Sequence, residues 1–101
     1  AFLRDLVDYT HSLGLAYFAK NAAETAASWA TDTDGVVVEE AYAYREADAY
    51  MPYVQAGKPV FAVEYGAGSP TDAQCSDANA RDYALYGTNL ALTGTVYRTC
   101  W

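Results

Sequence analysis

Residues 35–42 (GVVVEEAY) and 58–65 (KPVFAVEY) obey one rule: an apolar, β-branched run stops abruptly in carboxylate and tyrosine. A strand with one wet face alternates polar and apolar residues, so an unbroken apolar run marks a strand covered on both faces. Such strands belong to parallel sheets flanked by helices. In those folds chemistry collects where the strands' carboxyl ends open onto a common face. Glu39, Glu40 and Glu64 stand at those ends. Acidic groups placed there point to carbohydrate or metal chemistry.

The rest of the chain fits the same architecture. Phe2, Leu3, Leu6, Val7, Tyr9 and Leu13 follow helical spacing, and Gly14 predicts the C-cap. Residues 15–19 (LAYFA) predict a short buried strand. Asn21 with Glu24 three residues on predicts an N-cap and its capping-box partner, opening an Ala-rich helix over 22–30. A polar turn leads into the strand at 35–42. Pro52 cannot lie inside a helix, so a third helix is expected to begin near residues 50–52 and to close at Gly57. A third strand covers 59–65, a turn-rich loop 66–72, a short helix 74–81, a fourth strand 83–87 and a tail 89–101. The order is α-β-α-β-α-β-α-β, at the regular spacing of βα units.

Four parallel strands alternating with helices make half of a (β/α)8 TIM barrel, a fold that takes ~250 residues. With 101 residues, the chain is expected to be a single partial domain, residues 1–101, with the remainder upstream of residue 1. Half a barrel leaves bare strand edges and an open apolar interior. The missing amino-terminal half, or a second chain, is therefore expected to complete it.

Composition narrows the partners. A net charge of −7 disfavours nucleic acid and anionic membrane, and no apolar stretch is long enough to span a bilayer. Ten tyrosines and two tryptophans lean towards sugar, because aromatic rings stack on the faces of pyranoses; the other reading is that tyrosine packs with its hydroxyl at the surface. Cys75 and Cys100 fit a single disulfide, which matches the secreted character of an acidic, lysine-poor chain. Such a bridge would contribute about 3 kcal/mol in the chain-entropy picture. Two unpaired buried thiols are the alternative.

The strand-end inventory is Lys20-Asn21, Glu39-Glu40, Glu64-Tyr65 and Tyr86-Gly87. Successive strand residues face opposite sides, so only one of Glu39 and Glu40 can point into a barrel mouth. Carboxylates on neighbouring strands, with a lysine and an asparagine beside them, suit general acid/base work on a glycosidic bond. Structural ion pairs at strand ends are the competing reading. A Ca²⁺ or Mg²⁺ held by Glu39, Glu40 and Glu64 is a further one. The single histidine, His11, lies on an amphipathic helix, and no Gly-rich phosphate loop follows a strand. No cofactor is implied.

The succession LGLAYFAKN, DGVVVEEAYAYREADAY and YVQAGKPVFAVEY, followed by a cysteine-bearing short helix and a terminal cysteine, resembles the endo-α-1,4-polygalactosaminidases, glycoside hydrolase family 114. The resemblance covers essentially the whole chain and matches the carboxyl-terminal half of that family's barrel. It implies a secreted enzyme that cuts α-1,4-linked galactosamine polymers, a cationic substrate suited to an acidic cleft. On its motifs, Glu39 falls at the family's catalytic strand-end glutamate and is expected to be the general acid. Glu64 is either a second catalytic acid or a carboxylate for the substrate's ammonium groups. Lys20, Asn21, Glu40, Tyr42 and Tyr65 are expected to contact or support the sugar. Relatives commonly carry cysteines at the positions of Ala41 and Ala47, a small loop bridge absent here. The family's partner carboxylate, an Asp followed by Asn, is expected upstream of Ala1. A barrel that has lost catalysis and only binds carbohydrate, and a self-sufficient small α/β module, are the two other classes.

Overall fold

The computed structural model describes residues 2–94 and 97–101. Helix α1 spans Phe2–Ser12 and strand β1 Phe18–Lys20. A 3-10 turn, Ala23–Thr25, leads into α2 at Ala26–Asp32, and β2 follows at Gly35–Glu39. A second 3-10 turn, Ala47–Tyr50, leads into α3 at Met51–Gln55. Then come β3 (Val60–Tyr65), α4 (Asp72–Ala80), β4 (Ala84–Thr88) and β5 (Tyr97–Thr99).

The sheet runs β1-β2-β3-β4-β5, with the first four strands parallel and β5 antiparallel to β4. The α/β class and mostly parallel sheet match the sequence reading, but among the described residues four strands become five. Tyr97–Thr99 in the tail pairs back along the β4 edge, setting Tyr86 opposite Thr99 and Thr88 opposite Tyr97. That pairing joins two segments well apart in sequence, and neither the sequence between them nor the polar, three-residue strand carries a periodic signal. The disulfide anchors it: Cys75 of α4 is bonded to Cys100, and the Cys100 amide donates to the Leu85 carbonyl at 3.0 Å.

Two further boundaries differ from expectation. The first strand lies at Phe18–Lys20 rather than 15–19, because the α1 C-terminus continues as a turn in which the Leu15 amide reaches back to the Thr10 carbonyl. Asn21 is not an N-cap. It takes a left-handed conformation (φ 56°), and its side chain is turned to β2 instead. The cap box that does form is at α4, where Thr71 Oγ1 accepts from the Gln74 amide and the Gln74 side chain accepts from the Thr71 amide.

Helices α2, α3 and α4 cover one face of the sheet. Val36, Val38, Val60, Ala62 and Leu85 point into that layer and bury against Ala26, Ala30, Tyr53, Ala78 and Tyr83. Burying a side chain such as Leu85 fully contributes about 1.5–3 kcal/mol. The 56–59 segment, AGKP, is a junction: Gly57 supplies the positive φ (74°) that ends α3. Lys58 Nζ then donates to the Ala30 and Thr31 carbonyls at 2.6 and 3.2 Å, a cation at the negative end of α2. Among the described residues no helix covers the other face of the sheet. There Phe18 and Phe61 stack with ring centroids 5.8 Å apart, 38% and 44% exposed.

Candidate active site

Strand register decides which strand-end residues meet. Lys20 pairs with Val37, Glu39 with Val63, and Val63 with Tyr86, so Lys20, Glu39, Tyr65 and Tyr86 all project from the open face. Lys20 Nζ contacts Glu39 Oε1 at 2.6 Å, and both side chains remain solvent-accessible. The bond to Glu39 raises the Lys20 pKa above its ordinary value. Tyr65 completes the group. Burial first, then the Glu39 charge, pushes its phenol up as well.

The Glu39 backbone is fixed from the first strand. Asn21 Oδ1 accepts from the Glu39 amide at 2.8 Å, while the Asn21 amide donates to the Val37 carbonyl at 2.9 Å. Both bonds need the left-handed turn at residue 21, which asparagine tolerates better than most residues. Lys20-Asn21 is therefore one device: the lysine meets the carboxylate of Glu39 and the asparagine meets its backbone.

Glu40 ends the strand. Its φ is 58°, its amide donates to the Val63 carbonyl at 2.8 Å, and the chain then turns away from the sheet. Ala41 and Tyr42 follow, and their surroundings lie on the helical side. Tyr42 Oη donates to Asp77 Oδ2 at 2.7 Å, which Arg81 Nε also reaches at 2.7 Å, and Arg81 continues to Asp48 at 2.6 Å. Burial, then the Asp77 contact, pushes the Tyr42 phenol far up. These residues line a cavity of about 360 Å³ between the 41–48 loop and α4, away from Glu39.

Ala41 and Ala47 line that same cavity. In place of a cysteine bridge, the loop is closed by the Glu46 amide on the Ala41 carbonyl at 2.7 Å and by Tyr83 Oη on the Ala47 carbonyl at 2.6 Å.

Glu64 is separated from Glu39. Alternation along β3 places it with Val60 and Ala62 on the helical side, and it is 2% exposed. Its Oε1 accepts from the Tyr42 amide at 2.8 Å and its Oε2 from the Ala43 amide at 3.3 Å. Burial raises its pKa, the two amide bonds work in the opposite direction, and the Glu40 charge adds to the rise. The expected constellation thus resolves into an open group, Lys20, Glu39 and Tyr65, and a buried one, Glu64 with Tyr42. Asn21 Oδ1 and the Tyr42 hydroxyl are spent on the protein itself. Among the described residues no group of three or more His, Cys, Asp or Glu side chains is placed to hold a metal ion, and no helix is long and apolar enough to cross a membrane.

Parallel strands ending in a lysine, a carboxylate and a tyrosine on one open face define a TIM-barrel-like α/β protein with an acidic strand-end site. Residues 1–101 match the model of glycoside-hydrolase family GH114 throughout, and the chain belongs to that family. It is similar to the crystal structure of Aspergillus fumigatus Ega3 in complex with galactosamine, with 26% identity and a TM-score of 0.77. The match covers 94% of this chain and 42% of that one, so the chain spans less than half the length of that relative. No curated protein matches the chain.

Proposed function

We propose that the chain forms the carboxyl-terminal half of the (β/α)8 barrel of a secreted glycoside hydrolase, one that cleaves α-1,4-linked galactosamine-containing polysaccharide with Glu39 as general acid. The observation that carries this reading is the open Lys20–Glu39–Tyr65 group at the carboxyl ends of parallel strands, in a chain of this family. Glycoside cleavage needs a proton donor for the leaving oxygen and a carboxylate that attacks the anomeric carbon or activates water. Glu39 protonates the glycosidic oxygen as the bond to the anomeric carbon breaks. The attacking carboxylate comes from upstream of residue 1, the Asp that the family resemblance implies.

Lys20 and Tyr65 border Glu39 on the open face and are the sugar contacts. Glu40 is the next carboxylate out along the chain, while Asn21 and Tyr42 hold the framework. An excess of negative charge concentrates a polymer bearing ammonium groups near the site. The galactosamine bound in the Ega3 crystal structure supports that substrate class. The Cys75–Cys100 bond supports an oxidising, extracellular setting. The stacked, half-exposed Phe18 and Phe61 are the surface that the other half of the barrel covers.

The test is Glu39→Gln in the full-length protein, assayed by release of reducing ends from an α-1,4-galactosamine polymer. Removal of a general acid costs about 10²–10⁴-fold in rate. A variant that keeps most of the wild-type rate removes Glu39 from the mechanism.

A further inference from the structure

We infer that Glu64 is a positioning residue, a buried latch that holds the 40–43 turn and through it the β2 end carrying Glu39, and is not the second catalytic carboxylate. The inference rests on the reading of Glu39 as the acid. Three observations carry it. Glu64 is 2% exposed and lies on the helical side of the sheet, so its carboxylate cannot reach a substrate on the face where Glu39 opens. Both of its oxygens are engaged, by consecutive amides three and four residues beyond Glu39. The segment between leaves the strand through a left-handed residue, Glu40, and so needs an external hold to keep one path.

The hold is bidirectional. Glu64 takes the Tyr42 backbone from β3, while Asp77 of α4 takes the Tyr42 hydroxyl at 2.7 Å. Tyr42 is thus pinned at both ends by carboxylates from two different elements. Asn21 secures the Glu39 amide from the other side. Between Asn21 and Glu64, the strand end that bears the acid is gripped by β1 and β3 at once. A buried carboxylate accepting two backbone amides satisfies the donors of a turn that the sheet cannot pair, and amide–carboxylate bonds are among the stronger kinds.

The experiment compares Glu64→Gln, Glu64→Ala and Glu39→Ala in the full-length enzyme, reading kcat, KM, the pH profile of kcat, and rescue by added azide or formate. Glutamine retains one acceptor oxygen, so Glu64→Gln should lose about 10-fold in kcat and Glu64→Ala about 10²-fold, the scale of misplaced catalytic groups. Both should keep the wild-type shape of the pH profile and show no rescue, whereas Glu39→Ala should change the profile. Hydrogen exchange of the wild-type protein should show the Tyr42 and Ala43 amides protected. The inference is overturned if azide or formate restores a Glu64 variant, if Glu64→Gln loses as much as Glu39→Gln or loses nothing, or if those two amides exchange like exposed loop amides. Should Glu39→Gln prove fully active, the proposed function fails alone. Amide exchange then still decides the latch, as it does if the Glu64 variants do not fold.

Discussion

Asn21 reaches from the end of β1 to accept the Glu39 backbone amide at 2.8 Å, and it does so from a left-handed conformation with φ 56°. The conformation and the bond belong together, since the side chain is short and must leave the strand direction to meet the neighbouring strand's last amide. Asn21→Ala should therefore destabilise twice. It loses a hydrogen bond, about 1 kcal/mol, and places a less tolerant residue in the left-handed region, about another 1–2 kcal/mol. Asn21→Gly removes the bond but not the backbone freedom. Denaturant unfolding should rank glycine between wild type and alanine, and equal stability for all three would show that the bond does not hold the strand end.

The two apolar runs announced the parallel sheet because GVVV and VFAV carry no polar residue on either side, the pattern of strands whose two faces are both meant to be covered. The strand-end carboxylates were legible for the same reason: a run that ends in Glu marks where burial stops. What could not be read was which way each acid turns. Glu39 and Glu64 both follow four-residue apolar stretches, yet Glu39 faces the open side and Glu64 the helices. That difference depends on strand register, which is set by tertiary pairing and not by either segment alone. The NAAE stretch likewise satisfied a local capping rule, but Asn21 has a better partner in the Glu39 amide, a contact eighteen positions away. β5 left no trace because its strand is three residues long and its pairing is fixed by Cys100.

Gly87 sits where β4 passes beneath the loop that precedes α4. A Cβ at this position would fall within 2.5 Å of Pro70 Cδ and closer still to the Ser69 carbonyl oxygen. Pro70 is buried and Arg98 of β5 donates to its carbonyl at 2.8 Å, so the loop cannot retreat without breaking that tie. Gly87→Ala should cost about 1–3 kcal/mol by overpacking. A thermal midpoint unchanged from wild type would mean that the loop yields freely.

Acid should destabilise the protein through Asp34 and Asp77. The Tyr17 amide at 2.7 Å, then His11 at 2.6 Å, holds the Asp34 carboxyl below its ordinary value of 3.8. Arg81, then the Tyr42 hydroxyl, does the same for Asp77. A depressed carboxylate contributes stability above its unfolded pKa, and that contribution is lost as pH falls below 3.8 through the folded values. Glu64 has the opposite sign. Its folded pKa is raised from 4.5, so the folded state binds the proton more tightly, and its ionisation removes stability as pH climbs from 4.5 through the raised value. Thermal melts should thus show an acid limb that Asp34→Asn diminishes, and Glu64→Gln should flatten the decline above pH 4.5. An acid limb unchanged in Asp34→Asn would exclude that carboxylate as its source.

The isolated 101 residues should associate, and the sheet shows where. Phe18 and Phe61 stack on the uncovered face with Val37 between their strands, an apolar surface that no described element shields. The edges are less sticky than the face. β1 and β5 are three residues each, and short edge strands carrying Lys20 and Arg98 resist strand addition. Because β5 occupies the outer side of β4, any closure of a barrel on that side must pair with β5 or displace it. Association of the fragment should therefore run through the Phe18–Phe61 face. Sedimentation should show dimers or larger species that a Phe18→Ser, Phe61→Ser pair returns to monomer. A wild-type fragment that sediments as a cooperatively folded monomer would mean that the open face needs no partner, and would favour a self-sufficient small module over half of a barrel.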